Sequence, residues 1–302
     1  QVAVEAPDLE GREAILKVHA KGKPFVPDVD LHMIAVRTPG FTGADLANVL
    51  NEAALLCARA GAQLIDNRAI DEAIDRVQAG PKRKSKGMAL EELRNTAYHE
   101  GGHALVAAAM NDTDPVTKVT ILPRGRALGY TAVMPTEDRY SMSRNQLLDQ
   151  MAYAMGGRTA EEVVFHDPTT GASNDIEQAT KLARAMITRY GMSEEFDMVA
   201  METVTNQYLG GDTTLACSPE TQARIDKAVS ALIKKQYEKA VQILENNRRT
   251  LDALAKFLYE KETITGEQFM GIVEEQKKAS EGNGSAPSAP SAPSAPSVPE
   301  TP

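Results

Sequence analysis

The stretch TAYHEGGHALVAAAM, residues 96–110, places two histidines four residues apart in an otherwise apolar segment. On a helix, residues i and i+4 share a face, so His99 and His103 project from one side about one turn apart. That spacing lets two imidazole nitrogens reach a single Zn²⁺ at about 2.0–2.1 Å. Glu100, beside the first histidine, is placed to take a proton from water that the metal activates. We predict a helix over residues 88–110 that carries a zinc-dependent peptide-hydrolysing site.

Gly101 and Gly102 stand in the middle of this predicted helix, where each costs about 1 kcal/mol relative to alanine. A helix accepts glycine where another backbone or a substrate must approach closely, and departures from local propensity concentrate at functional sites. We therefore predict a close approach at this pair.

A catalytic zinc centre needs a third protein ligand and one open position. The metzincin pattern requires glycine and histidine at two later positions, which hold Val106 and Ala109 here. The thermolysin-like pattern requires an aspartate four residues after a glutamate, but Phe165 follows Glu161 at that distance. Both patterns are excluded.

Four candidates for the third ligand remain, namely Asp175, Glu161, Glu162 and His166. Asp175 begins a predicted helix after the turn TTGASN (169–174), where its carboxylate could equally be a first-turn acid favoured by the helix dipole. From the residues alone, the role divides almost evenly between Asp175 and the Glu161–Glu162 pair.

Composition sets the broad class. The 302 residues, 42% of them hydrophobic, suffice for about two globular domains. The formal net charge of −9 argues against a nucleic-acid partner, because phosphate binding needs clustered Lys and Arg. No apolar run approaches the roughly 20 residues of a membrane span, and the first residues lack a signal-peptide pattern. Cys57 and Cys217 are interpreted as reduced thiols in a cytosolic setting, with a disulfide as the lesser alternative.

The pattern along the chain predicts a mainly α fold in four segments. Residues 1–80 contain four short helices that form a small bundle, and the basic stretch 81–87 is interpreted as a solvated linker. Residues 88–280 are mostly helical with one β-hairpin, in 118–135. The Ser-Ala-Pro repeat in 281–302 has no apolar face and is predicted to be disordered.

Within the second segment, SMSRNQLLDQMAYAMGG (141–157) places Ser143 and Gln146 at capping-box spacing and predicts a helix that ends at its two glycines. The following GRTAEEVVF predicts a separate helix. The hairpin is the only β structure that we predict.

Motifs distributed over most of the chain point to one family. They are HEGGHALV, VTILPRGRALGY, GGRTAEEVVF and TTGASNDIEQAT, with DLEGREAILKVHAKGKPFVPDVDL and TPGFTGADLANVLNEAALLCAR upstream. Together they resemble the FtsH family of membrane-anchored, ATP-dependent zinc metalloproteases, in unchanged order over residues 3–275. The resemblance implies that residues 1–80 are the helical lid of an AAA+ ATPase and that 88–280 form a mostly helical peptidase domain.

The resemblance also implies roles for particular residues. Asp175 is the implied third zinc ligand, with Glu161 as a supporting carboxylate close by. Gly43 and Ala44 match lid residues that lie near the nucleotide base in the family, although helix capping and turn formation account for them equally well. Zn²⁺ is the implied cofactor, whereas ATP with Mg²⁺ is implied only for the intact protein.

Family members act on polypeptides as homohexamers anchored in a membrane. By this resemblance we expect an anchoring N-terminal segment that this sequence lacks, with the present portion on the cytoplasmic side of a bacterial inner membrane. The family usually has alanine at Gly101. No G-x-x-x-x-G-K-[ST] loop is present, so we interpret the sequence as a C-terminal fragment and expect no ATP turnover from it alone.

Two further hypotheses concern the site. The strand LGYTAVMP (128–135) can pair with an extended substrate through Gly129, Tyr130 and Thr131, by main-chain hydrogen bonds. The rival to a peptidase is a non-catalytic helical assembly module with a structural zinc, which a fourth ligand such as His166 or Glu161 would favour.

Overall fold

The computed structural model describes residues 5–83, 88–125, 127–135, 138–139, 141–205 and 212–282. The described residues are mostly helical with small antiparallel sheets, which confirms the predicted mainly α class. The predicted linker residues 84–87 and the predicted tail from residue 283 onward lie outside them. Among the described residues, no helix combines the length and apolar character that crossing a bilayer requires.

The helices are α1 (Leu9–Ala20), α2 (Leu31–Val36), α3 (Gly43–Arg59), α4 (Asn67–Ala79), α5 (Leu90–Ala109), α6 (Arg144–Phe165), α7 (Ser173–Thr188), α8 (Pro219–Asn246), α9 (Arg248–Lys261) and α10 (Gly266–Gly282). The strands are β1 (Val116–Thr120), β2 (Tyr130–Val133), β3 (Glu202–Thr205), β4 (Asp212–Leu215) and β5 (Thr263–Thr265).

Helices α1 to α4 pack around an apolar core of their own. Leu16, Leu46 and Leu50 are fully buried at its centre. Each of the four helices begins at an aspartate or threonine whose side chain accepts a hydrogen bond from the first turn. In α3, Thr42 and Asp45 form the reciprocal capping box that their spacing predicts.

A second apolar core surrounds α5, which packs against α6, α8, α9 and the sheet. The sheet has the order β2-β1-β5 with both pairings antiparallel, so β1 is central and β2 lies at an edge. Val119 and Ile121 from the central strand and its extension are fully buried against the helices. Because α5 is covered on nearly every side in its second half, its few polar residues there are held at fixed positions.

The predicted helix end at Gly156–Gly157 is wrong, because α6 runs without a break from Arg144 to Phe165. Gly156 lies directly on the backbone of α5. A methyl group there would lie 2.9 Å from the carbonyl oxygen of Gly102 and 3.0 Å from the Cα of His103. Glycine in this helix therefore serves close packing between two backbones, which outweighs a local preference of about 1 kcal/mol.

The predicted pairing of β1 with β2 is confirmed. The expectation that it is the only β structure is wrong. Strands β3 and β4 form a separate antiparallel pair, and β5 adds to the far side of β1. β5 has only three residues, so it carries too few positions to show a periodic pattern.

Charged side chains connect the two apolar cores. Arg124, in the β1–β2 connection, is 2% exposed, and its guanidinium donates to Glu72 at 2.7 Å and to Asp75 at 3.0 Å, both on α4. Lys118 on β1 also pairs with Asp75. Burial raises the pKa of Glu72, but hydrogen bonds from Arg124 and Lys82 outweigh this and lower it to about 2.

We predict opposite effects for alanine at the two adjacent glycines of α5. A methyl group at Gly102 would lie 2.5 Å from both the Ala160 Cβ and the Gly156 carbonyl oxygen, whereas at Gly101 it would meet Leu251 at an ordinary 3.4 Å. Gly101→Ala is therefore expected to raise the free energy of unfolding by about 0.5–1 kcal/mol through helix propensity. Gly102→Ala is expected to lower it by about 1–3 kcal/mol through overpacking. Urea unfolding of both variants measures the difference, and equal effects would contradict it.

The Arg124 ion pairs predict a pH-dependent loss of stability. Arg124→Gln is expected to lower the free energy of unfolding by about 1–3 kcal/mol at pH 6, because buried carboxylates lose a partner. Since the pKa of Glu72 is lowered to about 2 in the folded protein, its contribution is present above its ordinary value of 4.5 and is lost as pH falls toward 2. The difference in free energy of unfolding between the wild-type chain and Arg124→Gln should therefore become smaller from pH 6 to pH 3, as measured by urea titration.

Arg37→Gln is the control, since Arg37 forms an exposed pair with Asp71. It is expected to change stability by less than about 1 kcal/mol at either pH. A wild-type advantage over Arg124→Gln that stays constant with pH would rule out the role given to Glu72.

Candidate metal centre

His99 and His103 lie one turn apart on α5, and their Nε2 atoms are 3.1 Å apart. Asp175, in the first turn of α7, places Oδ2 3.4 Å from Nε2 of His99 and 3.7 Å from Nε2 of His103. In a tetrahedral zinc centre with ligands at about 2.0–2.1 Å, ligand atoms lie about 3.3–3.4 Å from one another. The three atoms therefore fit three corners of a tetrahedron around a single ion.

The other nitrogen of each ring is held by a neighbour on α6. His99 Nδ1 lies 2.7 Å from Glu161 Oε1, and His103 Nδ1 donates to the carbonyl oxygen of Tyr153 at 2.8 Å. Both acceptors favour a proton on Nδ1, which leaves the Nε2 lone pairs facing each other and Asp175. Lone pairs this close together repel each other unless a proton or a metal ion lies between them.

The charges around the rings also call for a cation. Burial lowers the pKa of His99, but Asp175 and Glu161 outweigh it and raise that pKa to about 10. Burial raises the pKa of Asp175, yet the two imidazoles hold it below its ordinary range. The carboxylates of Asp175, Glu161 and Glu100 thus surround the two imidazoles. Their negative charge can be balanced by protons on the histidines or by a divalent cation bound between the rings. The residues present fit Zn²⁺.

Glu100 lies beside these groups and is 6% exposed. Thr131 on β2 donates through Oγ1 to Glu100 Oε2 at 2.8 Å and also lies 3.0 Å from the Glu100 carbonyl oxygen. Burial raises the pKa of Glu100, and the nearby histidines only partly offset that. The carboxylate is therefore fixed in orientation and is a stronger base than an exposed glutamate.

Two glycines provide the room that this arrangement needs. A methyl group on Gly157 would clash with the Nε2 atoms of both histidines, on the side where a metal would lie. A methyl group on Gly129 would lie 2.9 Å from Cγ of Glu100. Side chains at either position would disturb the very atoms that the site brings together.

The site opens into a cleft of about 1440 Å³ between α5, α6, α7 and the β2 edge. Gly129, Tyr130 and Thr131 line one wall, and Tyr153 lies close by. The strand proposed for substrate pairing in the sequence analysis therefore borders the candidate metal ligands.

The structure separates the candidate ligands of the sequence analysis. Among the described residues, the set whose ligand atoms converge is His99, His103 and Asp175. Glu161 lies against Nδ1 of His99, the ring nitrogen that faces away from the set. His166 lies at the C-cap of α6 and does not belong to the set. No fourth side chain of the described part of the chain closes the centre, so the structural-zinc alternative is not favoured.

Other predicted residues lie elsewhere. Glu162 has a half-exposed side chain and pairs with Arg158. Gly43 and Ala44 begin α3, one of the four helices around the first apolar core, and neither lines the cleft. Sequence reasoning missed Gly157 and Tyr153. Gly157 could have been found, because Gly156–Gly157 is a second glycine pair like Gly101–Gly102. Tyr153 could not, because it contacts His103 through its main-chain carbonyl, which every residue has.

A buried helix with H-E-x-x-H, an aspartate from a second helix and an open cleft define a metallopeptidase-type centre. The family model described as peptidase family M41 matches residues 86–272, and that of the AAA+ lid domain matches residues 28–72. The first match covers more than half of the chain. The chain belongs to peptidase family M41.

Similar proteins carry the name ATP-dependent zinc metalloprotease FtsH. The one from Cutibacterium acnes is 57% identical over 281 residues, which are 92% of this chain and 39% of the relative. The one from Thermus thermophilus is 52% identical over 275 residues, 91% of this chain and 44% of the relative. The one from Rubrobacter xylanophilus is also 52% identical, over 91% of this chain and 43% of the relative. The chain thus spans about two fifths of the length of these relatives.

We expect Gly157→Ala to weaken Zn²⁺ binding by at least about tenfold, as loss of an outer-shell feature does in other metal sites. The added methyl group would push both imidazoles away from the position that Asp175 also faces. Competition with a chromogenic chelator measures the affinity. Gly271→Ala is the matched control, because Gly271 is also helical but has open space around it. Equal zinc affinity in the two variants would contradict the proposed crowding.

Proposed function

We propose that the chain is the peptidase portion of a zinc-dependent endopeptidase that hydrolyses unfolded or membrane-extracted polypeptides. In this proposal His99, His103 and Asp175 hold Zn²⁺ and Glu100 is the general base. The observation that carries it is the convergence of three ligand atoms at 3.1–3.7 Å beside a buried carboxylate, in a cleft of about 1440 Å³. Membership of peptidase family M41 supports the reaction class.

When bound, Zn²⁺ supplies the Lewis acidity that lowers the pKa of water and polarises the scissile carbonyl. Glu100 would accept one proton of the attacking water and return it to the leaving nitrogen, so that the C–N bond breaks and the products are an amine and a carboxylic acid, which then ionises. Thr131 occupies Glu100 Oε2, which leaves Oε1 free for the proton. Glu161 keeps His99 oriented through Nδ1, and a backbone N–H from Thr169 holds Glu161 in turn at 2.6 Å.

Substrate binding is assigned to the β2 edge. Residues Gly129, Tyr130 and Thr131 border the cleft and can offer main-chain hydrogen bonds to an extended peptide. Pairing of this kind tolerates many sequences, because the backbone rather than the side chains is recognised.

In the intact protein, hydrolysis is coupled to ATP-driven unfolding and translocation. The supporting facts are the lid-domain match and the relatives' names, which include the word ATP-dependent. Residues 1–80 are the lid, 81–87 a linker, 88–280 the peptidase domain and 281–302 a tail. The intact protein binds ATP with Mg²⁺, and Gly43 and Ala44 of the lid lie near the nucleotide base. It is a homohexamer anchored in a bacterial inner membrane, with this portion on the cytoplasmic side.

Glu100→Gln is expected to reduce cleavage of casein by at least about 100-fold while zinc content stays unchanged, because the amide keeps the shape but cannot take the proton. Asp175→Asn is expected to reduce zinc content as well, since it removes an anionic ligand. Metal analysis and a fluorescent casein assay with and without a chelator distinguish these outcomes. Asp167→Asn, at an exposed loop position, is the control for charge loss. Undiminished cleavage by Glu100→Gln, or zinc retained without any chelator-sensitive cleavage, would reject the proposal.

A further inference from the structure

The backbone of β2 has one side bonded to β1 and one side open. Just beyond the strands, Met134 N–H donates to the Pro115 carbonyl and Ile121 N–H donates to the Glu262 carbonyl on the β5 side. Because backbone groups alternate between the two sides of a strand, even-numbered residues from 130 to 134 face β1. The N–H and C=O groups of Gly129 and Thr131 therefore face the open side.

No other strand of the described part of the chain pairs with β2 on that side. One of its acceptors is nevertheless occupied. The hydroxyl of Tyr153, on α6, donates to the carbonyl oxygen of Thr131 at 3.0 Å. An added peptide strand can use the Gly129 carbonyl and the Thr131 N–H, but its next donor would have to share the Thr131 carbonyl with the Tyr153 hydroxyl, which lies 3.0 Å from that oxygen.

We propose that Tyr153 ends the strand-pairing site at Thr131 and so fixes how far, and in which register, an extended peptide lies along β2. This inference rests on the proposed function, and it adds a residue that sets the position of the peptide relative to Glu100. The side chain acts on substrate binding, and it does so by withholding one main-chain hydrogen bond.

The surroundings of Tyr153 make it a fixed barrier. Its ring packs against the ring of His103 with centroids 5.3 Å apart, and its own carbonyl accepts from His103 Nδ1. Burial and the charge of Glu100 raise the pKa of its hydroxyl, so that it stays a donor. The cleft wall ends at the same point, since it includes residues 127–131 but neither residue 132 nor residue 133.

A register fixed in this way has a chemical consequence. Thr131 is the residue that holds Glu100, so the last pairing position lies beside the general base. A peptide that cannot continue along β2 leaves the edge there, beside Glu100. The barrier thus favours one peptide bond over its neighbours without recognising a side chain.

The test is a backbone N-methyl scan of peptide binding in the zinc-loaded Glu100→Gln chain. The probe is a fluorescein-labelled ten-residue peptide of alternating apolar and small residues, and binding is read by fluorescence anisotropy. With Tyr153 present, N-methylation at the position that pairs with the Gly129 carbonyl is expected to weaken binding about three- to tenfold. N-methylation two residues further toward Thr131 should change it less than about twofold.

In the Tyr153→Phe variant the second position is expected to become sensitive too, again about three- to tenfold, because the Thr131 carbonyl is then free. The ring and the main-chain bond to His103 remain, so zinc content should not change. Tyr98→Phe is the matched control, since it removes a hydroxyl bonded to Asp252 at 2.9 Å and should leave the scan as it was.

Equal sensitivity at both positions before the Tyr153 change would overturn the inference, as would a scan that Tyr153→Phe leaves unaltered or a failure of every peptide to bind. Cleavage of the unmethylated peptide by the wild-type chain is measured separately. If the N-methyl scan gives the predicted pattern but the peptide is not cleaved, the proposed reaction is wrong and the limit set by Tyr153 stands. If the peptide is cleaved but N-methylation has the same effect at both positions, the limit is wrong and the reaction stands.

Discussion

The contact between the backbones of α5 and α6 determines the geometry of the site. At Gly102 and Gly156 the helices approach so closely that a methyl group on either would overlap the other helix. This approach carries the Tyr153 carbonyl to His103 Nδ1 and Glu161 to His99 Nδ1. A crossing wider by the size of a methyl group would break both hydrogen bonds, and the imidazoles would be free to turn their Nε2 atoms apart. The metal centre is thus a product of helix packing as much as of ligand type.

How much of the site the sequence predicts depends on how local each part is. His99, Glu100 and His103 are set by one turn of one helix, and the 3.6-residue period alone places them correctly. Asp175 and Glu161 are both acids on other helices, and no local rule distinguishes them. The structure does so by the nitrogen that each one faces: Asp175 lies near Nε2, and Glu161 lies against Nδ1. That distinction is tertiary, so in the sequence it came only from family resemblance.

The errors in the fold have the same origin. A glycine pair usually ends a helix, but at Gly156–Gly157 the gain from packing against α5 and from leaving room for two imidazoles outweighs the local signal. The three-residue strand β5 forms because β1 offers it a partner, with Val119 opposite Ile264 in a fully buried pair. Short elements of this kind are defined by their neighbours rather than by their own residues.

Strand β2 links features that are far apart in the chain, and it does so through the two-residue period of a strand. The side chain of Thr131 points toward α5 and holds Glu100, whereas that of the preceding residue, Tyr130, points the other way. There burial and the charge of Asp75, on helix α4, raise the pKa of the Tyr130 hydroxyl. Arg124, which donates hydrogen bonds to carboxylates of α4, lies in the connection that leads into the same strand. Glu100 and Asp75 of α4 therefore interact with side chains on opposite faces of one short strand.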